Sequence, residues 1–196
     1  MKQMGCTLEQ SEDSTTVRGP PVGSSQLVGV DVDMADMTDA FMTAVAVAAA
    51  AKGTTRISGI ANQHVKECDR IAAMCEGLAL CGVVARNNPD GIEIDGVGGL
   101  EGGVGALAEA AAAAVEKVKG GAYIDCYDDH RIAMSFAVLG CACAAMGYDG
   151  PMGAAPVITD KECTDKTYRT LNEPEEKRRK RTERKETRKI KIIWLC

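Results

Sequence analysis

Asn62-Gln63-His64-Val65-Lys66-Glu67-Cys68-Asp69-Arg70 carries more information than any other stretch of this 196-residue chain. Val65, Cys68, Ala72, Cys75 and Ala79 recur at steps of three and four, which predicts a helix from Gln63 to Cys81 with one apolar stripe on a core. Lys66, Glu67 and Arg70 leave that stripe together on the first turns, beside the positive end of the helix dipole. A lysine, a carboxylate and an arginine so placed are expected to hold and protonate an anion.

On the N-terminal side, Lys2 to Glu9 and Thr15 to Arg18 alternate around a polar turn and read as a hairpin. Gly19-Pro20-Pro21-Val22-Gly23 breaks the chain, and a helix is expected from Asp39 to Lys52, stopped by Gly53. Thr54 to Ile60 reads as a strand. On the C-terminal side, Val83 to Arg86 and Ile92 to Asp95 are strands joined by the turn residues Asn87-Asn88-Pro89-Asp90-Gly91. The expected order is therefore helix, strand, helix, strand, strand. Gly96 to Gly105 lacks the lysine and hydroxyl of a phosphate-binding loop and reads as a linker, opening a Gly/Ala-rich insertion over 96–120 with a helix from Leu107 to Val118. Tyr123 to Cys126 reads as a strand, Asp128 or Asp129 as the N-cap of a buried helix from His130 to Met146, and Pro156 to Thr159 as a further strand.

Hydrophobic residues make up 45% of the chain and aromatics 4%, so a core must be built from Ala, Val, Ile, Leu and Met. The nine cysteines are odd in number, form no CxxC pair and sit in apolar patterns, which suits reduced, buried side chains in a cytoplasmic protein. The alanine-rich runs are shorter than the roughly 20 residues that cross a bilayer, and the N-terminus has no signal-peptide pattern. The net charge of −5 divides unevenly. Residues 171–196 hold ten basic and five acidic residues, whereas 1–170 hold thirteen basic and twenty-three acidic ones. The basic run Lys177 to Arg181 reads as a solvated, disordered tail; nucleic acid is the minor reading, because no aromatic platform accompanies the run.

Four blocks in order carry a family resemblance: Met37-Thr38-Asp39-Ala40-Phe41-Met42-Thr43, the nonapeptide from Asn62, Tyr127-Asp128-Asp129-His130-Arg131-Ile132-Ala133-Met134-Ser135, and Asp160-Lys161-Glu162-Cys163-Thr164-Asp165-Lys166-Thr167. Together they resemble the C-terminal part of 5-enolpyruvylshikimate-3-phosphate synthase, in wording closest to the synthase segment of multifunctional shikimate-pathway polypeptides. The resemblance implies an α/β fold, a partial inside-out α/β barrel built from βαβαββ units with the helices at its centre. Residues 1–170 would form an incomplete C-terminal domain and 171–196 a tail in place of the family's aromatic C-terminal helix. The N-terminal half of the enzyme would be a missing partner, and with it the contacts that hold shikimate-3-phosphate across the cleft.

The implied activity is transfer of the enolpyruvyl group from phosphoenolpyruvate to shikimate-3-phosphate, with no cofactor and no metal. The resemblance makes Asp39 the acceptor of the hydroxyl proton and Glu67 the donor to the methylene carbon, with His130 orienting. Asn62 and Lys66, with Asp39, would contact shikimate-3-phosphate, and Arg70, Arg131 and Lys166 would hold phosphoenolpyruvate. Read from the residues alone, Asp39 is a helix cap, Glu67 a first-turn carboxylate, and His130 a structural histidine. Two departures stand out: His64 where many members carry arginine, and Asp165 where a small residue is expected. Two other readings remain: the related transferase acting on a nucleotide sugar, and a noncatalytic remnant that binds a partner through its basic tail.

Overall fold

A computed structural model describes residues 1–20, 27–98, 123–145, 156–159 and 163–164. The expected helix over 107–118, Lys166 and the basic tail lie outside them. The chain opens with a hairpin of β1 (Thr7–Gln10) and β2 (Thr15–Arg18), preceded by a 3₁₀ turn at Lys2–Met4 where the sequence suggested strand. A four-stranded sheet follows, ordered β3 (Asp31–Asp33), β4 (Lys52–Ser58), β6 (Gly91–Val97) and β5 (Val84–Asn88). β3 runs parallel to β4; β6 is antiparallel to both its neighbours. Helix α1 (Phe41–Ala49) links β3 to β4, and α2 (Arg70–Leu80) links β4 to β5. The order is βαβαββ once β3 is included, the one strand of the unit that the sequence did not reveal. A second, shorter set follows: β7 (Tyr123–Ile124), α3 (His130–Ala145) and β8 (Val157–Ile158), with β7 and β8 parallel.

Both central helices are shorter than their periodicity suggests, and each has a physical reason. α1 stops at Ala49 because Lys52 and Gly53 are drawn into β4 opposite Val97 and Gly96, where the ladder satisfies their backbone groups. Gly96 therefore belongs to a strand rather than to an insertion, and β6 continues through Val97. A Cβ at position 96 would lie 2.2 Å from the Ala51 carbonyl oxygen, so only glycine lets β6 pass so close to the end of α1.

α2 begins at Arg70, not Gln63. Residues Ala61–Val65 form a 3₁₀ segment, Lys66 leaves it at ψ −143°, and Asp69 caps the helix by accepting the Ala72 amide at 3.0 Å. The buried face of α2 is Ile71, Met74 and Leu78, offset from the stripe of 65, 68, 72, 75 and 79; Val65 is 82% exposed.

One sheet face, with Ile57, Ile92 and Ile94, joins Phe41, Met42, Val45, Met74 and Phe136 in a single core. The other face is solvated and charged: Glu93 accepts from Arg56 at 2.7 Å and from Arg86 at 2.8 Å. Gly77 of α2 admits the Phe136 ring of α3, since an added Cβ would come within 2.2 Å of Phe136 Cζ. Gly77→Ala should therefore destabilise the fold by about 1–3 kcal/mol, read as a lowered urea midpoint at constant slope. An unchanged midpoint would mean that α2 and α3 do not pack through this ring.

Candidate active site

Three backbone segments meet where α1, α2 and α3 begin. Asp39 lies in the last turn of the 3₁₀ stretch Ala35–Ala40 that leads into α1, Gln63 to Asp69 lead into α2, which opens with Arg70, and Asp129 precedes α3. The junction therefore gathers three helix N-termini, an arrangement that attracts negative charge. Asp129 is placed by an unusual turn: Tyr127 and Asp128 both adopt left-handed backbone, at φ 52° and 57°, which costs a non-glycine pair a few kcal/mol. Among the bonds that hold that turn, the Asp129 amide donates to the Cys126 carbonyl at 2.8 Å, Asp125 Oδ1 accepts the Tyr127 amide at 2.8 Å and Tyr127 donates its hydroxyl to Glu76 of α2 at 2.6 Å. Asp129 in turn accepts the Arg131 amide at 2.9 Å, capping α3.

Arg70 lies at the centre, only 2% exposed. Its Nε donates to Asp129 at 2.6 Å, Nη1 to Gln63 at 2.9 Å and Asp39 at 3.2 Å, and Nη2 to Glu67 at 2.7 Å. The expectation that Arg70 stands out from the apolar face is thus corrected: it is buried, and carboxylates from all three segments compensate its charge, as burial of a cation requires. Glu67 and Lys66 lie on the loop before α2 and not on its first turns.

Arg131, 37% exposed, binds Asp39 twice, through the side chain at 3.2 Å and the main-chain oxygen at 3.3 Å. Asn62 donates to Thr38 at 3.3 Å on the rim, and the half-buried His130 opens α3 between Asp129 and Arg131. Gln63 and Thr38 also belong to the cluster; only their nearness to Asn62 and Asp39 in sequence hinted at it.

Burial pushes the Asp39 carboxyl upward, but the Gln63 hydrogen bond and the charges of Arg131, Arg70 and Lys66 outweigh it and hold it below the ordinary carboxylate range. Asp39 is ionised at neutral pH and can accept a proton. Cys68, beside the cluster, is driven to about 11 by burial and by Asp129, so its thiol stays neutral. The arrangement can do one thing well. Arg131 has one partly exposed carboxylate partner, Asp39, and Arg70 has another, Glu67, besides its buried partner Asp129; the carboxylate or phosphate of a ligand can replace the exposed partners, leaving Asp39 and Glu67 beside it.

The sequence model of EPSP synthase (3-phosphoshikimate 1-carboxyvinyltransferase) matches residues 1–174. The chain belongs to the EPSP synthase family. Pentafunctional AROM polypeptide 2 of Lodderomyces elongisporus is 50% identical over 143 residues, 73% of this chain and 8% of that polypeptide. The pentafunctional AROM polypeptide of Yarrowia lipolytica is 44% identical over 169 residues, 86% of this chain and 9% of the relative. Among solved structures, EPSP synthase from Acinetobacter baumannii superposes with a TM-score of 0.57 at 26% identity, covering 87% of this chain and 35% of the synthase. The chain thus spans about a third of that synthase and under a tenth of the two polypeptides. Its βαβαββ unit and partial second unit are an incomplete piece of the EPSP synthase α/β fold. Among the described residues, no helix is long and apolar enough to cross a membrane.

His64 gives a pH test of this corner. Its Nδ1 lies 2.9 Å and 3.0 Å from the two Asp69 oxygens and its Nε2 3.4 Å from the Asn88 carbonyl. The Asp69 bond raises the imidazole above its ordinary value, burial opposes it, and Asn88 adds to it. A raised folded-state value stabilises the fold fully below about pH 6.5, and that contribution fades as pH rises through the folded value. Melting temperatures of wild type and His64→Gln should differ at pH 5.5 and converge by pH 9, the gap corresponding to under about 1 kcal/mol. A gap independent of pH would contradict the pairing.

Proposed function

We propose that this chain supplies one wall of an enolpyruvyl transferase site that moves the carboxyvinyl group of phosphoenolpyruvate to shikimate-3-phosphate and releases phosphate, a step toward chorismate carried out in the cytoplasm. The observation that carries this reading is Arg70, a buried cation on which Asp39, Glu67 and Asp129 converge from distant parts of the sequence. Both substrates are multiply charged anions, and their mutual repulsion must be offset before carbon and oxygen can bond. Arg131 and Arg70 grip phosphoenolpyruvate, Arg131 exchanging Asp39 and Arg70 exchanging the half-exposed Glu67 for its carboxylate and phosphate, while Asp129 and Asp39 Oδ1 keep hold of Arg70; a planar guanidinium suits both. Lys66 and Asn62, on the rim with Asp39, face shikimate-3-phosphate, and Lys166 adds a further cation toward phosphoenolpyruvate.

The acid–base work falls to the two carboxyl groups. Asp39 takes the proton of the attacking hydroxyl as its oxygen bonds to the central carbon of phosphoenolpyruvate. The enol π electrons take a proton from Glu67 at the methylene, giving a tetrahedral intermediate whose charge the arginines stabilise. Glu67, now a carboxylate, takes back a methyl proton as the carbon–oxygen bond to phosphate breaks, the phosphate leaves with the proton held by Asp39, and the enol ether product forms. His130, at the head of α3, orients this end of the site. The rest of the synthase fold must close over this wall, so turnover requires the N-terminal half as a partner.

The test is reconstitution. With the N-terminal half supplied as a separate chain and assembly verified by gel filtration, wild type should convert both substrates. Asp39→Ala and Glu67→Ala should each lower kcat by about 10²–10⁴-fold at unchanged circular dichroism. An assembled but inactive wild type, or active variants, would overturn the proposal.

A further inference from the structure

Gln63 has a fully buried side chain, yet it faces polar groups in every direction. Its Nε2 donates to Asp39 Oδ1 at 3.2 Å, to Thr38 Oγ1 at 3.0 Å and to Asn62 Oδ1 at 3.3 Å. Its Oε1 accepts from Arg70 Nη1 at 2.9 Å, and the same Nη1 reaches Asp39 Oδ1. An amide suits this place because it offers two donor hydrogens to oxygens and a carbonyl acceptor to a guanidinium at once, where a hydroxyl or a neutral imidazole has a single donor. A carboxylate here would donate nothing to Asp39, and an apolar residue would strip Asp39 Oδ1 of its inner amide donor and the buried Arg70 Nη1 of its shorter bond.

The two oxygens of Asp39 therefore have different surroundings. Oδ1 is held from the interior by Gln63 and Arg70; Oδ2 is met by Arg131, whose guanidinium is exposed enough to move.

We propose that Gln63 is a positioning residue that pins Asp39 Oδ1 and Arg70 in one fixed geometry, so that Oδ2 alone is the proton-accepting oxygen once a substrate anion draws Arg131 away. This rests on the transferase reading above. It assigns a task to a side chain buried behind Asp39, and it divides the Asp39 carboxylate into an anchored and a reactive oxygen. The charged groups around that carboxylate are Arg70 of α2, Arg131 of α3 and Lys66 of the loop before α2, and all three favour the ionised form.

Two variants separate positioning from simple packing. Gln63→Leu removes both functions of the amide without adding charge, and so reads the lost donors; Gln63→Glu keeps an oxygen for Arg70, loses the donors and adds a negative charge beside Asp39. Asp39 is titrated through its carboxyl carbon by nuclear magnetic resonance in the 196-residue chain. The midpoint should rise by at least about one pH unit in each variant, a tenfold change in proton affinity. In the enzyme reconstituted with its N-terminal half, the acid limb of the kcat profile should move to higher pH in step. For Gln63→Glu, KM for phosphoenolpyruvate should stay within about threefold of wild type. A folded variant with an unshifted Asp39 midpoint, or an acid limb that does not move, overturns the assignment. Should wild type prove inactive when reconstituted, the titration still decides the role of Gln63, and the inactivity tells against the transferase reading alone.

Discussion

A guanidinium taken out of water is the constraint around which this domain is arranged. Stripping Arg70 of solvent costs several kcal/mol unless its N–H groups meet acceptors of good geometry. No single segment of the chain provides enough of them. Glu67 and Gln63 come from the loop before α2, Asp39 from the approach to α1, and Asp129 from the cap of α3. Compensating one charge therefore fixes the starts of three helices relative to one another. The same convergence gathers the acid and base of the proposed chemistry, so stability and function draw on one cluster. The turn at Tyr127 and Asp128 fits this account, because its unfavourable backbone delivers Asp129 to Arg70.

Much of this architecture is legible in the sequence because local chemistry dictates it. The β5–β6 turn, which narrows to Pro89-Asp90 because Asn87, Asn88 and Gly91 join the strands, the Thr15 to Arg18 strand and the helix beginning at His130 follow from turn residues, alternation and a cap, none of which needs distant partners. What escapes local reading depends on the tertiary setting. β3 is only Asp31–Asp33, too short and too acidic to stand out from a loop, and exists because β4 lies beside it. The start of α2 was misplaced because alanines and cysteines give that stretch two apolar stripes of similar strength. The one carrying Ile71, Met74 and Leu78 is buried because larger side chains remove more surface from water.

The candidate site divides the same way. The wording of four blocks singles out Asp39, Asn62, Lys66, Glu67, Arg70, His130, Arg131 and Lys166, and the fold gathers all of these but Lys166, which lies outside the described residues, at one junction. Their pairing was not legible. An arginine four residues after a lysine reads as a solvated cation, and nothing local reveals that a carboxylate 59 positions away will bury it. Gln63 shows the limit most plainly, since its importance lies wholly in what it touches. The wall is accordingly not a bare positive surface: its two arginines are held by its own acids.

The most direct measurement of this account is hydrogen exchange of the Arg70 Nε proton, followed by nitrogen-edited magnetic resonance on the 196-residue chain at neutral pH. The buried ion pair with Asp129 predicts a resolved signal that exchanges at least about a hundredfold more slowly than that of an exposed arginine. An Arg70 signal exchanging at the rate of free guanidinium would show the cluster open to water, and the convergence of the three helix starts would lose its physical cause.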